Sequence, residues 1–144
     1  MTFQYAYPAL LEPDEGTILV TFPDVPGAIT FGEDEDDALM RAVGALETIL
    51  GGYIEDRQLI PKPSSANGRP LVQPGLLTSL KLSLYEAMQA RGWRKADLAR
   101  ALAQDPRQID RLLDPRHKST IGQLEAALAA CGKRAQVVTL DIAA

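Results

Sequence analysis

Between Lys95 and Leu113 the sequence KADLARALAQDPRQIDRLL places Arg107, Gln108 and Arg111 in one short helical stretch. Arg107 and Arg111 are four residues apart and share a helix face. A guanidinium makes two parallel hydrogen bonds to the major-groove edge of guanine, and a glutamine amide does the same for adenine. Lys95, at the start of the preceding helical stretch, and Arg116 and Lys118, in the following DPRHKS loop, are placed to meet phosphates. The second concentration of chemistry is acidic: Asp24, then the run Glu33-Asp34-Glu35-Asp36-Asp37. A two-metal nuclease site needs carboxylates converging from separate elements. A contiguous run points in several directions, and acids favour the first turn of a helix, where they meet unpaired amides. The run therefore reads as a helix start, with no metal or cofactor expected. The single histidine, His117, lies in the basic loop, so no Ser-His-Asp arrangement is supported and no catalytic residue is assigned. Cys131 is the only cysteine and falls on an apolar helix face, which suits a small buried hydrophobe.

The elements that must position these groups follow from pattern. Leu98, Ala99 and Leu102 share one helical face, and Ile109, Leu112 and Leu113 another. Ala103-Gln104-Asp105 between them is long enough only for a turn. Asp105 suits the N-cap of the second helix, Pro106 its first position, and Gln108 the return partner of a capping box. Two short helices at a sharp angle with outward arginines resemble a helix-turn-helix. The turn position usually held by glycine is Ala103, and Arg94 stands where Ser or Thr usually precedes the first helix. Upstream, Leu76–Arg91 predicts a helix with Leu77, Leu80, Leu84 and Met88 on one face, and Trp93 is placed to pack on Leu98. Downstream, Thr120 and Gln123 form a capping box for a helix lined by Ile121, Leu124, Leu128 and Cys131, with Gly132 just past its end.

In the first half, Phe3–Leu11 reads as a strand, Glu12–Gly16 as a turn, Thr17–Phe22 as the hairpin partner and Ala28–Phe31 as a third strand. The acidic run leads a helix with Leu39, Ala42, Val43, Leu46, Leu50 and Tyr53 at three-to-four spacing, weakened at its end by Gly51-Gly52. Gln58–Pro63 suits a short edge strand. Residues 64–75 are rich in Ser, Gly, Pro and Asn, with a possible short strand at Leu71-Val72. The last segment, Ala135–Ile142, is strand-like but has no partner in its own half; it needs either the amino-terminal sheet or the same strand of a second chain, and the intervening linker favours the second.

The 144 residues allow one ordinary domain or two small ones, and 46% apolar content supports a packed core. No run of about 18 apolar residues is present, so no membrane segment is expected, and the amino-terminal stretch has no secretion-signal pattern. With one cysteine and no internal disulfide, a reducing cytoplasm is expected. Net charge is −4, but residues 1–70 hold 12 acids against 4 bases and residues 71–144 hold 7 acids against 11 bases. The acidic half suits a basic protein and the basic half suits nucleic acid. The organisation expected is residues 1–70, a linker at 71–75, and residues 76–144, in an α+β fold.

Three stretches together resemble the HicB antitoxin family: FPDVPGAITFGEDEDDAL with the preceding hairpin, IPKPS, and KLSLYEAMQ with the helix-turn-helix and QLEAALAACGKR. The resemblance implies a truncated ribonuclease-H-like sheet and helix, without catalysis, that binds a small basic HicA-like messenger-RNA-cleaving toxin. It also implies a carboxy-terminal module that binds operator DNA as a homodimer and represses the operon. Asp24, Glu33, Asp34 and Asp36 are the acids best placed for the toxin. The rival reading is a stand-alone helix-turn-helix regulator whose amino-terminal part senses a small molecule.

Overall fold

A computed structural model describes residues 4–141. In chain order the elements are β1 (Tyr7–Pro8), β2 (Leu10–Asp14), β3 (Thr17–Thr21), β4 (Ile29–Gly32), α1 (Glu35–Glu55), β5 (Leu71–Val72), α2 (Leu76–Ala90), α3 (Lys95–Leu102), α4 (Pro106–Leu113) and α5 (Ile121–Ala130). Small antiparallel sheets precede a helical remainder, so the class is α+β.

β2, β3 and β4 form an antiparallel sheet in that order. The turn of the first hairpin is only two residues, Glu15 at φ 47° and Gly16 at φ 84°, a left-handed pair that matches strand twist. The turn expected at Glu12–Gly16 is therefore shorter, and Pro13 sits inside β2. That is tolerated because β2 is an edge strand and its missing N–H breaks no ladder. The single amino-terminal strand expected over Phe3–Leu11 is instead divided, and Phe3 lies outside the described residues. Pro8 has no N–H to give, and the chain changes partner there: β1 pairs with β5, and the Ala9 N–H donates to the Pro70 carbonyl at 2.9 Å.

Gln58–Pro63 is not a strand. Pro61 and Pro63 remove two ladder donors, and the segment is pinned by phenols instead. Tyr7 Oη donates to the Pro61 carbonyl at 2.6 Å and Tyr85 Oη to the Gln58 carbonyl at 2.7 Å.

α1 lies across one face of the sheet, burying Ala38, Ala42, Leu46, Leu50 and Ile54 at a repeat of four. It runs through Gly51-Gly52 to Glu55, because buried Leu50 and Ile54 flank the glycines and reward continuing the helix. Its start is fixed by carboxylates: Asp34 Oδ1 accepts from the Asp37 N–H at 2.8 Å, and Asp37 Oδ2 accepts from the Glu33 N–H at 2.9 Å. The Glu33 N–H, and then Arg41 Nε at 3.2 Å, hold the Asp37 carboxyl below the usual carboxylate range. Asp37→Asn therefore costs stability at neutral pH. A lowered folded pKa means the wild-type advantage is present above the unfolded value of about 4. It is lost as pH falls through the folded value, so urea unfolding of the two proteins at pH 7 and at progressively acid pH should show the difference shrink to nothing.

α2 is the centre of the molecule. The face expected at Leu77, Leu80, Leu84 and Met88 is only part of what it buries, since Thr78, Lys81, Leu82, Tyr85 and Ala87 are covered as well. It is packed by α1 on one side and by α4 and α5 on the other. One continuous core runs from Tyr5 through α2 to Cys131. The strand expected over Ala135–Ile142 is not formed among the described residues, which end at 141. A strand exists only when a neighbour completes its hydrogen bonds, and the described residues offer that segment none.

Candidate functional site

α3 and α4 are eight residues each and meet through a three-residue turn. Ala103 ends α3 in the left-handed region (φ 52°, ψ 44°), a conformation that costs a non-glycine residue about 1 kcal/mol. The turn holds because the Gln104 N–H reaches back to the Ala99 carbonyl at 2.9 Å. Arg94 has no side-chain acceptor to offer as an N-cap. Asp97 compensates, its Oδ2 accepting from the Arg94 N–H at 2.7 Å. α4 begins with Asp105 Oδ1 accepting from the Arg107 N–H at 2.8 Å, and with Pro106 at the first position. The return bond expected from Gln108 is not made: the short Asp105 side chain serves the second helical N–H, and the Gln108 amide stays exposed.

Ile109, Leu112 and Leu113 bury the inner face of α4. Arg107, Gln108 and Arg111 lie on its exposed side. The remaining basic candidates divide. Lys95 Nζ is paired with Asp110 Oδ1 at 2.6 Å, tying the start of α3 to α4 and offsetting a carboxylate on the helix that carries the arginines. Arg116 Nε is paired with Asp114 Oδ1 at 3.1 Å, which raises the proton affinity of the guanidinium and anchors the loop. Among the described residues Arg107, Arg111 and Lys118 form no ion pair with a carboxylate. Exposed pairs such as Lys95–Asp110 stabilise by no more than about 1 kcal/mol, so a phosphate can displace them.

The exit of α4 depends on a residue that sequence patterning left out. Lys81 on α2 is fully buried, and its ammonium donates to the carbonyls of Arg111 (2.9 Å), Asp114 (2.6 Å) and His117 (2.7 Å) and to Ser119 Oγ (3.0 Å). Burial pulls its proton affinity below the usual lysine range, with the Asp114 charge opposing. The signal was present: Lys81 is four residues after Leu77 and three before Leu84, on the apolar stripe itself. Pro115, in the same loop, packs against α1 where Gly51 leaves room; a Cβ there would lie 3.3 Å from the proline ring. Trp93 is half-buried against the core with the Arg91 guanidinium 4.7 Å above its ring, a cation–π contact.

The acids divide in the same way. Asp24 Oδ2 accepts from the Ser64 N–H at 2.8 Å and from Ser64 Oγ at 2.9 Å, which ties the Pro-Asp-Val-Pro-Gly turn to the proline-rich segment. Asp34 is committed to capping α1. Glu33 and Asp36 are exposed at the helix start. Among the described residues no three His, Cys, Asp or Glu side chains come together in a way that could hold a metal ion. No helix there is long and apolar enough to cross a membrane.

Residues 6–83 match the family described as HicB_like antitoxin of bacterial toxin-antitoxin system. The chain belongs to the HicB-like antitoxin family. Antitoxin HicB 2 of Photorhabdus laumondii is 35% identical over 140 residues, covering 97% of this chain and all of that protein. Antitoxin HicB of Pseudomonas fluorescens is 34% identical over 134 residues (92% of this chain, 90% of the relative). Antitoxin HicB of Escherichia coli is also 34% identical over 134 residues (92% and 97%). The family match to this antitoxin takes in both sheets, α1 and the first half of α2, including Lys81, and ends before α3. The relatives extend the similarity over nearly the whole chain.

Proposed function

We propose that this antitoxin neutralises an RNA-cleaving HicA-like toxin with its amino-terminal part and represses its own operon through α3 and α4. Residues 1–70 are the toxin-binding unit, a truncated ribonuclease-H-like sheet and helix that blocks its partner sterically and carries no chemistry. Residues 71–75, of which Leu71 and Val72 pair with β1, join it to residues 76–144, in which α3 and α4 act as a helix-turn-helix. The setting is the cytoplasm. The observation that carries the DNA reading is α4 itself: a capped helix whose exposed side presents Arg107, Gln108 and Arg111, with neither arginine in an ion pair among the described residues. In this motif the early residues of the second helix reach base edges, and flanking Lys95, Arg116 and Lys118 set the register on phosphates.

Dimerisation belongs to the same reading. Val137, Val138 and Leu140 are more than half exposed in a segment without a ladder partner, a composition suited to strand pairing with a second chain. Two chains joined there bring two α4 helices to successive major grooves. Arg107→Ala with Arg111→Ala is expected to weaken binding to the chain's own promoter by roughly 100-fold, at about 1–3 kcal/mol per bidentate base contact. Discrimination against an unrelated duplex should fall with it. The check is a titration of both duplexes across a salt series; unchanged discrimination removes the arginines from base reading.

A further inference from the structure

Strand register separates the three-stranded sheet into two faces. Leu11, Val20 and Thr30 align on one side with Ile18 and Gly32, and α1 covers that side. The opposite side carries the row Leu10, Thr21 and Ile29 beside the row Glu12, Leu19 and Phe31, with Asp14 and Thr17 beyond. Among the described residues α1 is the helix that packs on this sheet, and it lies on the other face. Ile29 is 57% and Phe31 59% exposed. Large exposed aromatic and β-branched side chains side by side on a sheet mark a contact surface.

Charge selects the occupant. The first forty residues contain nine acids and no Lys, Arg or His. Glu12 and Asp14 project from the outer face itself, and Glu15 and Glu33 stand at the two ends of the strands next to it. A nucleic acid or an anionic lipid surface is repelled by such a face, and a second copy would set two like-charged faces together. A basic protein satisfies both the apolar centre and the acidic rim.

We propose that the outer face of β2–β4, centred on Leu19, Ile29 and Phe31 and rimmed by Glu12, Asp14 and Glu33, is where the basic toxin docks. This rests on the antitoxin reading above. It moves the energetic centre away from the acidic run, where Asp34 is committed to its cap, and away from Asp24, which is committed to Ser64. Apolar residues at the centre of an interface dominate affinity, and rim charges set the association rate.

The test uses the full chain and the small basic protein encoded beside its gene, the latter in a form that no longer cleaves RNA. Ile29→Thr with Phe31→Thr keeps strand-forming side chains and is expected to weaken binding by roughly 30-fold or more, mainly through faster dissociation. Glu12→Gln with Asp14→Asn, on the rim of the face, should slow association in a salt-dependent way and leave dissociation unchanged. Promoter binding by both variants should match wild type, which also reports that they fold. Undiminished affinity of the Ile29/Phe31 variant overturns the proposal. So does a change confined to the chain's own oligomeric state, which assigns the face to a second copy. Failure of the wild-type chain to bind the neighbour's product overturns instead the toxin reading on which the proposal stands.

Discussion

Lys81→Met is expected to lower unfolding free energy by about 3 kcal/mol and the melting temperature by about 10 °C. Methionine nearly preserves side-chain volume, so packing changes little. What is lost is one ammonium shared by three carbonyls. The Arg111, Asp114 and His117 carbonyls converge on it within 2.6–2.9 Å, and without a cation their dipoles face one another. Each keeps one backbone donor, from Asp114, His117 and Ser119 respectively, so the cost is the loss of charge-assisted bonds and not of every partner. A cation at the end of α4 also offsets the negative pole of that helix, a further fraction of a kcal/mol. Burying the ammonium is itself costly, which is why the site is stable only with all its acceptors present. Calorimetry of the two proteins checks the magnitude. A drop under about 3 °C would show that water replaces the ammonium at little expense, at roughly 3 °C per kcal/mol for a chain this size. Amide exchange should rise most in the segment from Asp114 to Ser119, which carries Arg116 and Lys118.

Lys81 also shows where a single sequence stops being informative. A pattern of apolar residues identifies the faces a helix buries, and Leu98, Ile109, Leu124 and Leu128 are buried as their spacing predicts, whereas Ile121, at the first position of α5, is 49% exposed because the end of the face overhangs the core. Helix starts were legible because capping is local: the acidic run before α1, Asp105 and Pro106 at α4, and Thr120 with Gln123 at α5, where the reciprocal bonds are 3.1 and 2.9 Å; that Asp34 is the member of the run that caps α1 is seen only in the fold. Contacts between distant segments carry no such local trace. Nothing near Asp24 announces Ser64, forty residues on, and nothing near Gln58 announces that two tyrosine hydroxyls replace its ladder. The same limit applies to the basic face. Types and spacing placed Arg107 and Arg111 together, but only the fold shows that Lys95 is engaged with Asp110 and Arg116 with Asp114. The carboxy-terminal segment is a different case, because its strand-forming composition is real but a strand needs a second backbone.

Gly32 and Gly44 should respond to alanine with opposite signs. Neither has a left-handed φ, so the ordinary expectation for both is a gain of about 0.5–1 kcal/mol from a less flexible unfolded chain. At Gly44, within α1, a Cβ meets nothing within 4 Å, and Gly44→Ala should raise stability by about that amount, with helix propensity acting in the same direction. At Gly32, the last residue of β4, a Cβ would sit 2.4 Å from the Ala38 nitrogen, 2.6 Å from its Cα and 2.8 Å from the Asp37 carbonyl carbon. These are backbone atoms, so no side chain can rotate away; α1 must lift from the sheet. Overpacking of this kind costs about 1–3 kcal/mol and more when backbone has to move, which exceeds the entropic gain. Gly32→Ala is therefore expected to lose about 3 kcal/mol in urea unfolding. The shift also pulls on the Glu33–Asp37 and Asp34–Asp37 bonds that start α1, so amide exchange at Glu33 and Asp37 should accelerate ahead of the helix centre. If Gly32→Ala instead matches Gly44→Ala in sign, the close seating of α1 on β4 is not what fixes the position of the acidic turn beside the outer face.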